Sequence, residues 1–280
     1  MFFTRKYKNK IKNIENIVLK LQNSDFYRDK DNCRFINVNN MYFKVQDHWF
    51  WNEYDSKGWE PETYDTYKNY LTKNTTYIDV GTWVGCTIFF AAEIGVNKIY
   101  GIEANDKSYE ISKNNCGFNK LTKDAIISHL CITDKDNDIV SFGSTNGGET
   151  SSASSLRGNQ FKVKTTKLIT YLKNNKIIND DLFIKIDIEG AESLIIEDLK
   201  ELSNKKDLVI YLSFHPPFWD NKEKTTKELL DVLYKFKEVR FSDNTLLNED
   251  KLKEMCLTKE EKPSWGTPFG NFFEVIINNK

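Results

Sequence analysis

From residue 61 onward, short apolar runs alternate with helical patterns, and this rhythm most limits the folds open to the chain. Pro61 is preset for the first position of a helix reaching about Leu71. Thr76 to Val80 reads as a strand, Val84 to Ile94 as a helix and Lys98 to Ile102 as a strand. Asp106 to Cys116 follows as a helix and Ala125 to Ile132 as a strand. After a break come strand Leu182 to Ile188, helix Ala191 to Leu202 and strand Leu208 to Phe214. Helix Thr225 to Phe236 and strand Asn271 to Ile277 complete the series. The strands are nearly continuously apolar, so both faces must be covered. A parallel sheet with helical crossovers does that. The expectation is an α/β domain with a mostly parallel sheet over residues 61–280.

Two segments depart from the rhythm. Between Ile132 and Lys167, β-like runs Asp138 to Phe142 and Phe161 to Thr166 flank a Gly/Ser-rich stretch at 143–155, expected to be a mobile loop and a candidate lid. Residues 1–60 read as an extension. A helix at Lys10 to Gln22 carries Ile11, Ile14, Val18 and Leu21 on one face. It is expected to dock; a membrane-surface role is the alternative. A hairpin, Cys33 to Val38 and Met41 to Val45, turns at Asn39-Asn40. The aromatic run from His48 to Trp51 packs that hairpin or forms a wall for a substrate, with Trp49 and Trp51 able to stack on a sugar ring.

Charge narrows the function classes. The 280 residues hold 40 basic and 41 acidic side chains, which argues against a general nucleic-acid binder. Five scattered cysteines without a C-x-x-C pair suggest neither a disulfide framework nor a zinc knuckle, but a reducing compartment. No apolar run approaches the length of a membrane span, and the N-terminus lacks a signal-peptide block. The expectation is a soluble, cytoplasmic protein with no membrane partner.

Three clusters carry chemistry. In Tyr77-Ile78-Asp79-Val80-Gly81-Thr82-Trp83-Val84-Gly85 a strand ends in an acid and a glycine turn opens a helix, at the edge where parallel sheets bind ligands. The spacing is G-x-x-x-G, not the G-x-G-x-x-G of a pyrophosphate turn, which disfavours a nicotinamide-dependent dehydrogenase. Close helix–strand packing is the plainer reading of the two glycines. One strand further, Glu103 stands where a carboxylate accepts from both hydroxyls of a ribose. Asp79 and Glu103 together suit a nucleoside with a positively charged tail, the profile of S-adenosylmethionine. In Phe183-Ile184-Lys185-Ile186-Asp187-Ile188-Glu189-Gly190-Ala191-Glu192 three acids gather at a strand end. The helix dipole accounts for Glu192. Asp187, in an apolar run, needs a partner or a function.

The Asp79–Gly85 and Ile184–Glu192 motifs resemble those of the FkbM-type methyltransferases, a branch of the class I S-adenosylmethionine-dependent enzymes. Trp59-Glu60-Pro61-Glu62 and Ile132-Thr133-Asp134-Lys135-Asp136 are similar to further family segments, and the likeness spans roughly residues 58–215. Thr82-Trp83 and Ala104 depart from the family pattern. The resemblance implies a seven-stranded sheet whose last strand is antiparallel. It implies a cofactor site of Glu60, Asp79, Gly81, Trp83, Gly85, Glu103, Ser128, His129 and Leu130, with Asp79 anchoring the methionine amine directly or through water and residues 128–130 flanking adenine.

An acceptor hydroxyl must lose a proton. The candidate base is His215, in Ser213-Phe214-His215-Pro216-Pro217, with Asp187 as second candidate or as its orienting partner. A divalent metal on Asp187, Glu189 and His215 is a variant. The expected activity is O-methylation of a sugar, glycan, nucleotide sugar or small-molecule hydroxyl, with homo-oligomer formation left open. A non-catalytic scaffold and a nucleic-acid methyltransferase are the rivals.

Overall fold

The structure is a computed structural model that describes residues 32–39, 41–57, 61–144, 155–156, 158–258 and 272–280. The expected helix at residues 10–22, Glu60, and most of the 143–155 loop lie outside the described residues. The chain divides into two compact units at the Trp59–Glu60 junction.

In the first unit, strands β1 (Cys33–Val38) and β2 (Met41–Gln46) pair antiparallel, with Val38 opposite Met41. Asn39 takes a positive φ of 47° to enter the turn, which its short polar side chain tolerates. Helix α1 (Phe50–Lys57) follows, where sequence patterning showed only an aromatic run. Trp51 is fully buried and its indole N–H donates to the Gln46 carbonyl at 2.9 Å. That side chain is core, so it cannot stack on a sugar; Trp49 is exposed.

The second unit opens with α2 (Pro61–Tyr70) and then β3 (Thr76–Val80), α3 (Cys86–Ile94), β4 (Lys98–Glu103), α4 (Asp106–Phe118) and β5 (Ala125–His129). Three short strands come next: β6 (Cys131–Ile132), β7 (Ile139–Phe142) and β8 (Phe161–Thr166). Then follow α5 (Leu168–Asn174), β9 (Leu182–Ile186), α6 (Ile196–Leu202), β10 (Leu208–Phe214), α7 (Lys222–Leu233), β11 (Glu238–Phe241), α8 (Glu249–Leu257) and β12 (Phe273–Asn278).

The main sheet has seven strands in the order β11-β12-β10-β9-β3-β4-β5. Strands β10, β9, β3, β4 and β5 are parallel, and β12 runs antiparallel to both neighbours. This is the Rossmann-like sheet with a reversed last strand. Every residue of β3, β9 and β10 is buried, which is why their sequences are apolar apart from a few polar residues such as Asp79 and Lys185. The chain winds outward from β3 through β4 to β5, then returns to lay β9 on the other side of β3. The switch point between β3 and β9 is where such sheets open a crevice at the carboxyl ends of the strands.

Three details differ from the sequence reading. The run 125–132 is two strands, because β6 leaves β4 and pairs with β8 in a separate three-stranded sheet. Strand β9 ends at Ile186, so Asp187 stands just past the strand, half-buried in the crevice. The segment after it forms a 3-10 turn, Glu192–Ile195, before α6 begins. Asparagine, abundant in this chain, is not only a surface residue: Asn105, Asn221 and Asn248 cap α4, α7 and α8 through their side-chain oxygens.

Candidate active site

The turn after β3 is built by backbone. The Gly81 and Thr82 amides donate to the Ile102 carbonyl at 2.9 and 3.2 Å, and Thr82 Oγ1 donates to the Asp79 carbonyl at 2.8 Å. Gly81 has a φ of +82°, and a Cβ there would lie 1.8 Å from the Asp187 carbonyl oxygen. That space belongs to the chain itself, so Gly81 serves the packing of the β3 turn against the end of β9. Gly85, at φ +90°, begins α3.

Trp83 holds a left-handed φ of 50° and donates its amide to Glu103 Oε2 at 2.6 Å. The Asn105 amide donates to Glu103 Oε1 at 2.7 Å. Glu103 is therefore pinned at the end of β4 and nearly buried. Burial pushes its carboxyl up to about 7, against the pull of the two amides. Each oxygen keeps a lone pair for a further donor.

Residues 128–130 make separate contacts. Ser128 Oγ lies 3.0 Å from the Tyr171 hydroxyl, and Leu130 packs on the main core. His129 stacks on Tyr109 of α4 with ring centroids 5.0 Å apart. All three remain partly accessible.

Asp79 is fully buried. Thr87 Oγ1 donates to Asp79 Oδ2 at 2.5 Å, and Lys185 Nζ lies 3.4 Å from Oδ1. Burial raises the Asp79 pKa, with Lys185 and Thr87 opposing. With no exposed surface, Asp79 makes no direct contact with a ligand in this arrangement. Its neighbour Lys185 also donates to the Gly81 carbonyl at 3.0 Å and stands 3.4 Å from Asp187 Oδ2. Burial alone would lower the Lys185 pKa, but Asp187 and Asp79 hold it well above its ordinary value.

The ends of β9 and β10 bring four more groups together. His215 follows β10 and is buried. Its Nδ1 lies 2.7 Å from Glu192 Oε1, and its Nε2 lies 3.4 Å from Asp187 Oδ1 and 3.9 Å from Glu189 Oε2. Glu192 is fully buried, and the Trp219 indole donates to its Oε2 at 2.6 Å. Burial opposes charge on His215, yet Glu192, then Glu189 and Asp187, hold its pKa up to about 10. The ring is an imidazolium at neutral pH. Lys185 and His215 together outweigh burial and keep Asp187 below its ordinary value. Glu189 is pushed up to about 7 by burial.

The structure thus assembles the predicted Asp187, Glu189 and His215 into one cluster. Patterning missed two residues. Lys185 looked like an interruption of a strand, and Glu192 looked like a helix-dipole carboxylate. The signal for both was polarity where neighbours are apolar.

The Methyltransferase FkbM domain model matches residues 69–242, more than half of the chain. The chain belongs to the FkbM methyltransferase family. No curated protein matches the chain. Among solved structures, the FkbM methyltransferase from Methylobacillus flagellatus KT is 11% identical with a TM-score of 0.45, covering 74% of this chain and 44% of its own. Precorrin-6y C5,15-methyltransferase from Geobacter metallireducens GS-15 is 12% identical with a TM-score of 0.40, covering 78% of this chain and 86% of its own. M. capricolum TrmK, solved with S-adenosyl-homocysteine, is 13% identical with a TM-score of 0.40, covering 78% and 67%. This chain spans under half of the length of the first.

The donor set at the β3–β4 edge fits the family's cofactor. Glu103 keeps acceptor capacity for a diol, and the β3 turn presents backbone beside it. All five cysteines are buried. Among the described residues, no helix is long and apolar enough to cross a membrane.

Proposed function

We propose that this FkbM methyltransferase is an O-methyltransferase that modifies a hydroxyl of a sugar, a glycan, a nucleotide sugar or another small molecule. The observation that carries the reading is the His215 cluster. It is a buried imidazole fixed by Glu192 and facing Asp187 and Glu189 at the carboxyl ends of β9 and β10. Such a group can hold a neutral hydroxyl and manage its proton. An electron-rich amine or ring nitrogen needs less help.

When bound, S-adenosylmethionine supplies a methyl group already activated on a sulfonium. The chain's part is alignment and proton handling. Glu103 would accept from the ribose hydroxyls, and Gly81 to Gly85 would present backbone. Trp83, His129 and Leu130 would form the rim, with Glu60 and Ser128 as outer candidates. Alignment of this kind contributes about 7–11 kcal/mol in well-oriented reactions. The acceptor hydroxyl would lie beside His215 Nε2 and Asp187 Oδ1, which stand 3.4 Å apart. The imidazolium steadies its oxygen, and the ionised carboxylate is the partner able to take the proton, an effect of about 10²–10⁴-fold.

The test is transfer of a radiolabelled methyl group from S-adenosylmethionine to a panel of sugars, nucleotide sugars and glycans. Labelled product, stable to conditions that cleave methyl esters and lost in Asp187→Asn, supports the reading. Label found only on amine or nucleic-acid acceptors overturns it.

A further inference from the structure

We propose that Asp187, Glu189 and His215 form a binding site for one divalent cation of the magnesium or manganese kind. The inference goes beyond the methyl-transfer reading: a cation on these atoms takes the place assigned to the acceptor hydroxyl, which would then bind at one of the cation's open positions. The three residues come from two separate loops, one after β9 and one after β10, and converge on one point. One ligand atom from each lies within 4.8 Å of the others. Around a cation with bonds of about 2.1 Å, opposite ligands stand about 4.2 Å apart. Closing that gap takes only small side-chain rotations.

The second observation is the state of His215. The residue is 6% exposed, and its Nε2 makes no hydrogen bond among the described residues. Its other nitrogen is committed to Glu192. Glu192 also accepts from the Trp219 indole at 2.6 Å and from the Gly190 amide at 3.1 Å. A buried carboxylate that holds Nδ1–H and turns Nε2 toward a site is the arrangement that metal-ligating histidines use, and a cation binding there displaces the Nε2 proton of the imidazolium.

Asp187 divides its oxygens in the same sense. Oδ2 faces Lys185 and Oδ1 faces His215, so Oδ1 is the atom left for a cation. Two carboxylate oxygens and one imidazole nitrogen form a mostly hard donor set, which favours magnesium or manganese over copper. Three protein ligands leave about three of six positions open. The acidic loop after β6 differs: there Asp136 is consumed by the Lys167 amide and the Thr166 and Thr170 hydroxyls.

The experiment is a manganese titration of the full chain after chelator treatment, read by electron paramagnetic resonance, with magnesium as competitor. The expected result is one tight manganese ion per chain, displaced by magnesium. Affinity falls at least tenfold in His215→Ala and in Glu189→Gln, and stays unchanged in Asp134→Asn. Thermal melting of each variant separates a lost site from a lost fold, and Glu189→Gln is the milder change. A folded wild-type chain that holds no stoichiometric manganese overturns the proposal. Binding that survives both substitutions does so too. Calorimetry with S-adenosylhomocysteine on the same metal-free samples reads the cofactor assignment separately, so either conclusion can fail alone.

Discussion

Lys185 and Asp79 are direct neighbours across the parallel β3–β9 pair, and their charged ends meet 3.4 Å apart in the interior of the protein. The same ammonium lies 3.4 Å from Asp187. One buried lysine thus joins the turn that begins the cofactor region to the cluster that would handle the acceptor.

Lys185→Met leaves Asp79 and Asp187 without their counter-charge. Removing one partner of a buried pair costs about 3–5 kcal/mol. Urea unfolding is expected to show a loss of that size. Adding Asp79→Asn to the same chain is expected to restore part of it, since the uncompensated charge is then gone. A double variant no more stable than Lys185→Met alone would refute the pairing.

Gly81→Ala and Gly95→Ala separate a clash from a backbone strain. Both glycines have positive φ, +82° and +87°. A Cβ at Gly95 meets nothing within 4 Å, whereas one at Gly81 meets the Asp187 carbonyl oxygen at 1.8 Å. Gly95→Ala is expected to cost about 1 kcal/mol, the usual left-handed penalty. Gly81→Ala is expected to cost about 3 kcal/mol or more, because strain and overpacking add. Thermal melting of the two variants checks the ratio.

Glu103 gives a pH dependence with opposite signs for folding and for binding. Folding raises its pKa from 4.5 to about 7. Its contribution to stability is therefore fully present below pH 4.5 and lost as pH rises through about 7. Ribose hydroxyls donate to the ionised form. S-adenosylhomocysteine affinity is expected to rise about tenfold between pH 6 and pH 8, with proton release on binding. Calorimetry in two buffers of different ionisation enthalpy measures it. Glu103→Gln should flatten the profile.

Glu192→Gln tests the orientation of His215. Losing the buried negative charge is expected to bring the His215 pKa down from about 10, visible in the imidazole nitrogen resonances of the metal-free chain. Methyl transfer is expected to fall about 10- to 100-fold while the melting curve stays cooperative. An unchanged His215 titration would exclude this role for Glu192.

Much of the frame was readable from residue order. Nearly continuous apolar runs at β3, β9 and β10 reported burial on both faces, and Pro61 and Asp106 stood at the starts of α2 and α4. Helices α1, α5 and α8 and strand β11 escaped, because they are short and their patterns are weak. Their place is set by what they pack against rather than by their own propensity.

By itself, the sequence determined the layered α/β architecture, the glycine turn after Asp79, and the acids at Glu103 and Asp187. Those follow from local rules: the period of apolar residues, and the cost of a polar group in an apolar run. Only the tertiary structure decided which of these groups meet. The return crossover that lays β9 beside β3 sets Lys185 against Asp79 and makes Gly81 a packing residue. The loops after β9 and β10, far apart in sequence, close Glu192 and Asp187 around His215. Contacts between distant segments depend on strand order and register, and no local pattern encodes either.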